Sequence, residues 1–237
     1  MTPEELFNDI DGFCKANAND AIVKKYARYF KENYDAFGLT PEHSSGKVKS
    51  LLEDDGVDLK LVFQTAPLLL KTGKYEETSF ALLFLRAFSK EYTKETFLEL
   101  GHWFEIGITN WGHTDFICGE ITPLFFKKGI IKFEDFSKWR KANNKYQRRA
   151  VPVSLIKQLK TTTEYQPYLD FIDPMMMDPE RVVHQGLGWF LREAWKKQPS
   201  QVEPFLLKWK NTAARLIFQY ATEKMTSEQK QRFRKEK

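Results

Sequence analysis

Apolar residues recur three and four positions apart along almost all of the 237 residues. No stretch of strict alternation ends in Gly or Asn-Gly turns, and the connections between periodic segments are short. These features predict an all-α fold in which antiparallel helices stack in chain order. Helix pairs return at intervals of roughly 35 to 40 residues, a spacing near that of degenerate HEAT repeats. The expected architecture is an α-solenoid (α-α superhelix) of HEAT-like antiparallel helix pairs with a concave basic face, in one domain over residues 1–237. A charged final helix or tail is expected from about residue 224.

The elements follow from local signals. Ala21 to Asn33 places Ala21, Val23, Tyr26, Ala27 and Phe30 on one side, and Phe37-Gly38-Leu39-Thr40-Pro41 ends it with a Gly and restarts at a Pro. Further helices are predicted at Lys47 to Asp54, Asp58 to Lys71, Tyr75 to Phe88, Lys94 to Ile106, Asn110 to Lys127 and Phe133 to Ala142. Later ones fall at Asn144 to Leu159, Tyr165 to Ile172, Pro179 to Lys197, Pro199 to Trp209, Thr212 to Glu223 and Ser227 to Arg234. Asp173-Pro174-Met175-Met176-Met177-Asp178-Pro179 reads as a loop between repeats.

Composition narrows the function classes. The hydrophobic fraction is 42% with 12 Gly and 10 Pro, which excludes a disordered or collagenous chain. No apolar run approaches the ~20 residues of a membrane span, and the start Met1-Thr2-Pro3-Glu4-Glu5 lacks a signal pattern, so a cytoplasmic location is expected. Cys14 and Cys118 stand far apart, and His43, His102, His113 and His184 show no ligand spacing. Neither a metal nor a cofactor is expected, and a monomer is the default.

The net charge is +5, yet residues 127–160 alone hold eleven Lys and Arg against Glu134 and Asp135. Such a segment is either a solvated helix face or a phosphate-binding surface. The Gly-rich phosphate loops, the His-Glu-x-x-His helix and the Gly-x-Ser-x-Gly elbow are all absent. In Thr109-Asn110-Trp111-Gly112-His113-Thr114-Asp115-Phe116, Asn110 caps a helix with Trp111 in its first turn and Asp115 in its second. Four apart, they share one face, either as a packed Trp with a helix-end acid or as a site.

Asn144-Lys145-Tyr146-Gln147-Arg148-Arg149-Ala150-Val151-Pro152 opens another helix, with a kink expected at Pro152. In Val183-His184-Gln185-Gly186-Leu187-Gly188-Trp189-Phe190-Leu191-Arg192-Glu193, Val183, Leu187, Phe190 and Leu191 point to a core and Trp189 points partly outward. Gly186 and Gly188 cost about 1 kcal/mol each in a helix, which fits either close approach of a partner or tight helix packing.

The segments Ala27-Arg28-Tyr29-Phe30-Lys31 with Phe37-Gly38-Leu39, Asn110-Trp111 to Asp115, Gln147-Arg148-Arg149-Ala150 and Gly188 to Glu193, in this order, resemble the DNA alkylation repair family. The likeness is to the HEAT-like-repeat DNA glycosylases of the AlkD type. It implies that Trp111, Asp115 and Trp189 are catalytic and that Arg149, or in a less favoured register Arg148, contacts DNA. Lys145, Tyr146 and Arg192 are expected on the same DNA surface.

The implied activity is hydrolysis of the N-glycosidic bond of N3- and N7-alkylated purines in double-stranded DNA, without metal and without base flipping. Gly112 after Trp111, Pro152 and the long tail depart from the family pattern. The alternatives are a non-catalytic binder of distorted or branched DNA on the same fold and a HEAT-repeat protein scaffold.

Overall fold

The computed structural model describes residues 1–31, 34–53 and 56–236 and divides into two compact units, Met1–His113 and Thr114–Lys237. Among the described residues there are fourteen α-helices and no strand, as the periodicity predicts. No described helix is long and apolar enough to cross a membrane.

The first unit opens with a helix that the periodicity does not reveal, α1 (Pro3–Ala16). Its signal is the Thr2/Glu5 capping box: the Glu5 N–H donates to Thr2 Oγ1 at 3.2 Å and the Thr2 N–H to Glu5 Oε2 at 2.8 Å. Leu6, Ile10 and Cys14, spaced four apart, are its buried face. Then come α2 (Asp20–Ala27), α3 (Pro41–Glu53), α4 (Leu59–Lys71), α5 (Tyr75–Ala87), α6 (Lys94–Ile106) and the start of α7 (Trp111–Phe116). α4 lies against α1, α5 and α6.

Here α2 ends at Ala27, short of the predicted Asn33, and Tyr29 and Phe30 continue as turns bonded back to Tyr26 and Ala27. Glu32, Asn33, Asp54 and Asp55 lie outside the described residues. α3 starts six residues earlier than Lys47, at Pro41. Gly38 does more than stop a helix. Its φ is +88°, and a Cβ there would sit 2.2 Å from Asn19 O, which leaves no room for a side chain. The backbone at this point wraps the buried carboxylate of Glu76, which accepts from the N–H groups of Phe37, Gly38 and Leu39 at 2.8, 2.8 and 3.1 Å.

In the second unit the predicted helix Asn110 to Lys127 is three segments: the end of α7, a π-turn over Ile117–Ile121 and α8 (Thr122–Lys127). The Thr122 N–H reaches back five residues to Ile117 O, and Lys157 Nζ donates to Gly119 O. Residues 133–141 form two 3₁₀ turns rather than one helix. Next come α9 (Lys145–Leu155), α10 (Gln166–Ile172), α11 (Arg181–Trp195), α12 (Pro199–Trp209), α13 (Arg215–Ala221) and α14 (Ser227–Gln231). Pro152 sits inside α9, which tightens into a 3₁₀ turn over Ile156–Lys160.

The expected Met-rich loop is instead a 3₁₀ continuation of α10 over Asp173–Met177, with Met175 and Met176 buried. Of the expected final helix or tail the helix forms, ending at Gln231 rather than Arg234; beyond it Phe233 is buried, and Arg232 pairs with Glu203 at 2.6 Å. α11 is the centre of this unit, packed between α9 and α13. Its Val183, Leu187, Phe190 and Leu191 are fully buried, as their spacing predicts.

Candidate active site

Each predicted side chain is placed by its own element. Asn110 caps α7: its Oδ1 accepts the His113 N–H at 2.9 Å, as the motif predicts. Asn110 Nδ2 lies 2.7 Å from His113 Nδ1, and an amide N–H can only donate. His113 Nδ1 is therefore the acceptor, and Nε2 carries the hydrogen toward Ser79 Oγ at 2.9 Å. Ser79 donates onward to Tyr75 O at 2.9 Å, and the imidazole stacks on the Tyr75 ring at 4.3 Å. Full burial drives the His113 pKa down to about 3, so the ring is neutral.

Trp111 starts α7 on the first unit. Its indole stacks on Phe30, with centroids 5.3 Å apart and planes 21° from parallel, and Nε1 donates to Tyr29 O at 3.3 Å. It remains 38% exposed. Gly112, the departure from the family pattern, has a packing reason: a Cβ there would sit 3.0 Å from the Tyr75 hydroxyl.

On the second unit, Asp115 and Arg149 form a two-pronged pair. Arg149 Nε and Nη2 donate to Asp115 Oδ1 and Oδ2, both at 2.9 Å, and Nη1 donates to Val182 O at 2.9 Å. The guanidinium is the deeper partner, its side chain 7% exposed against 21% for Asp115. The carboxylate is therefore the partner nearer solvent, with both of its oxygens held by the guanidinium. Residues 34 positions apart carry no local signal for such a pairing, and nothing in the sequence names Val182.

The glycines of α11 are explained by helix packing. A Cβ on Gly186 would lie 3.3 Å from Arg149 Cγ and 3.2 Å from Val153 Cγ2, and one on Gly188 would lie 2.4 Å from Tyr220 Cβ. Trp189 follows them, half-buried, as its position in the helix predicts.

Among the residues expected to touch DNA, Tyr146 and Arg149 are buried. Arg148 grips Asp178 at 2.6 and 3.3 Å and donates to Ala142 O and Asn143 O. Arg192 pairs with Glu193 and Glu223. Lys145 is half-buried with Nζ 5.5 Å from the Tyr146 ring centroid. In the basic run the outward cations are lysines, among them Lys127, Lys138 and Lys160. Cys118 is buried, its thiol pushed up by desolvation and its Sγ 3.4 Å from Ala150 O, which makes it a poor nucleophile. Among the described residues no group of His, Cys, Asp and Glu is placed to hold a metal ion.

The family model described as DNA alkylation repair enzyme matches residues 14–225. A predicted DNA alkylation repair enzyme from Enterococcus faecalis superposes with a TM-score of 0.74 at 14% identity, covering 89% of this chain and 97% of that one. AlkD2 from Streptococcus mutans superposes at 0.57 with 17% identity, over 86% and 97%. Smu.31 from Streptococcus mutans UA159 gives 0.56 with 18% identity, over 77% and 91%. The likeness is one of fold, the all-helical repeat fold that the periodicity predicts. No curated protein sequence matches.

Proposed function

Since this chain belongs to the DNA alkylation repair enzyme family, we propose that it is a monofunctional DNA glycosylase for purines made cationic by N3 or N7 alkylation. The observation that carries the reading is the Asp115 carboxylate, gripped from behind by buried Arg149 while a fifth of its side chain stays at the surface. A group held in this way needs little reorganisation when charge develops beside it.

The chemistry requires little more. An alkylated purine bears a positive charge, so the C1′–N bond breaks with its electron pair passing to the base nitrogen, and the base leaves neutral without a general acid. Positive charge then builds on the deoxyribose. Asp115 stabilises that oxocarbenium ion and orients the water that adds to C1′, whose proton passes to the carboxylate or to solvent. The product is an abasic site. The indole faces of Trp111 and Trp189 each supply cation–π attraction of about 0.5–2 kcal/mol.

Arg149, expected on a phosphate, is assigned instead to holding Asp115, since its donors meet that carboxylate and Val182 O. Phosphate contact falls to the outward lysines of the basic run, which recognise the duplex by charge rather than by base edges. The substrate is duplex DNA and the enzyme works as a monomer in the cytoplasm with neither metal nor cofactor.

The test is release of 7-methylguanine or 3-methyladenine from duplex by wild type and by Asp115→Asn. Release by wild type and a loss of at least about a hundredfold in the variant is expected. Equal release by both sinks the mechanism. A second reading, a non-catalytic binder of bent or branched duplex, draws on the same ion pair, which also ties α7, α9 and α11 together. Junction binding with no base release would select it.

A further inference from the structure

Behind Trp111 stands an aromatic assembly that the proposed chemistry leaves unused. Phe30 stacks on Trp111 and also on Tyr34, with the second pair 4.5 Å apart and 12° from parallel. Tyr75 closes on both from the side, at 5.6 Å from Phe30 and 5.2 Å from Tyr34. All four rings belong to the first unit. One indole face is thus covered by Phe30 and the Nε1–H is spent on Tyr29 O. Even so, 38% of Trp111 stays exposed.

A large apolar ring held half in water forgoes burial that would otherwise stabilise the fold. Its stack on Phe30 and its bond to Tyr29 O already order it, so little further ordering is needed when a planar cation arrives. We propose that Phe30 is a positioning residue for Trp111, backing the indole so that its open face presents to the alkylated purine nucleotide. This rests on the glycosylase reading for the identity of the ligand, whereas the one-sided indole is independent of it. Tyr34 and Tyr75 hold Phe30 in turn. Phe30 touches no reacting atom, and its effect passes entirely through the angle and mobility of Trp111.

The experiment uses Phe30→Leu, which keeps apolar bulk without a ring, and Phe30→Tyr, which keeps the ring. Tyr34→Leu removes the ring on which Phe30 stacks. Quenching of tryptophan emission is titrated with 7-methylguanosine, a planar cation, and Trp111→Phe supplies the baseline from the other five indoles. Base release from duplex is followed in single turnover, and circular dichroism melts check folding.

The expected result is that Phe30→Leu weakens both Trp111-dependent quenching and base release about three- to tenfold, in line with loss of one oriented cation–π contact. Tyr34→Leu gives a smaller loss of the same kind, and Phe30→Tyr stays within about twofold of wild type. Wild-type quenching by a folded Phe30→Leu, or no recovery with Phe30→Tyr, overturns the inference. If wild type shows the quenching yet releases no base, only the glycosylase reading fails.

Discussion

Replacing Asp115 by Asn keeps the shape of the group that Arg149 grips and removes its charge. The variant turns an amide N–H toward a guanidinium that can only donate, in a place where the arginine side chain is 7% exposed. Breaking a fully buried pair from one side costs about 3–5 kcal/mol. The 21% exposure of Asp115 and the surviving bond to Val182 O lower this to about 2–3 kcal/mol. For a chain of this length that is a fall of roughly 5–10 °C in Tm.

Arg149→Gln leaves the opposite charge behind, on the better-hydrated partner, and is expected to cost only about 1–2 kcal/mol. Joining the two substitutions removes both charges, so the double variant should lose about 1–2 kcal/mol less than the sum of the single losses. Urea melts of the four proteins measure this cycle. Release of 7-methylguanine from duplex in single turnover is read on the same samples. The double variant is then about as stable as Asp115→Asn alone, although it carries a second substitution, while release stays lost because no carboxylate remains to face the sugar. If the double variant releases base as wild type does, Asp115 is a clamp and nothing more. If Arg149→Gln costs more stability than Asp115→Asn, the inward placement of the guanidinium is wrong.

His113 makes stability depend on pH. Its folded value near 3 lies below the ordinary 6.5, so the unfolded chain takes up the proton first as pH falls. Stability present above about pH 6.5 is lost toward pH 3 at about 1.4 kcal/mol per unit. Replacing His113 by Gln should flatten the urea-derived stability curve in that window, and an unchanged slope would contradict the neutral ring. Glu76→Gln leaves one oxygen for three backbone donors, so a loss of about 2–3 kcal/mol in urea melts is expected; a loss under about 0.5 kcal/mol would deny that the carboxylate organises the 37–39 turn.

Much of the secondary structure is legible in the sequence because its causes are local. Lys94–Ile106 and Pro199–Trp209 appear with the predicted ends, since a Thr93 cap and a Pro at N1 act within one turn. The burial of Val183, Leu187, Phe190 and Leu191 likewise follows from helical spacing alone. Periodicity passes over a helix whose clearest signal is its cap, as at Thr2/Glu5, and it takes Asn110 to Lys127 for one regular helix where a π-turn intervenes.

The amino-acid order by itself determined the helical class, the caps and the identity of the side chains available for chemistry, because each depends on neighbours within about four residues. Tertiary structure alone decided that Arg149 faces Asp115, that Gly186 makes room for α9, and that Phe30 lies behind Trp111. Those relations join residues 34 to 81 positions apart. They are set by which helices pack together, a choice no local spacing encodes.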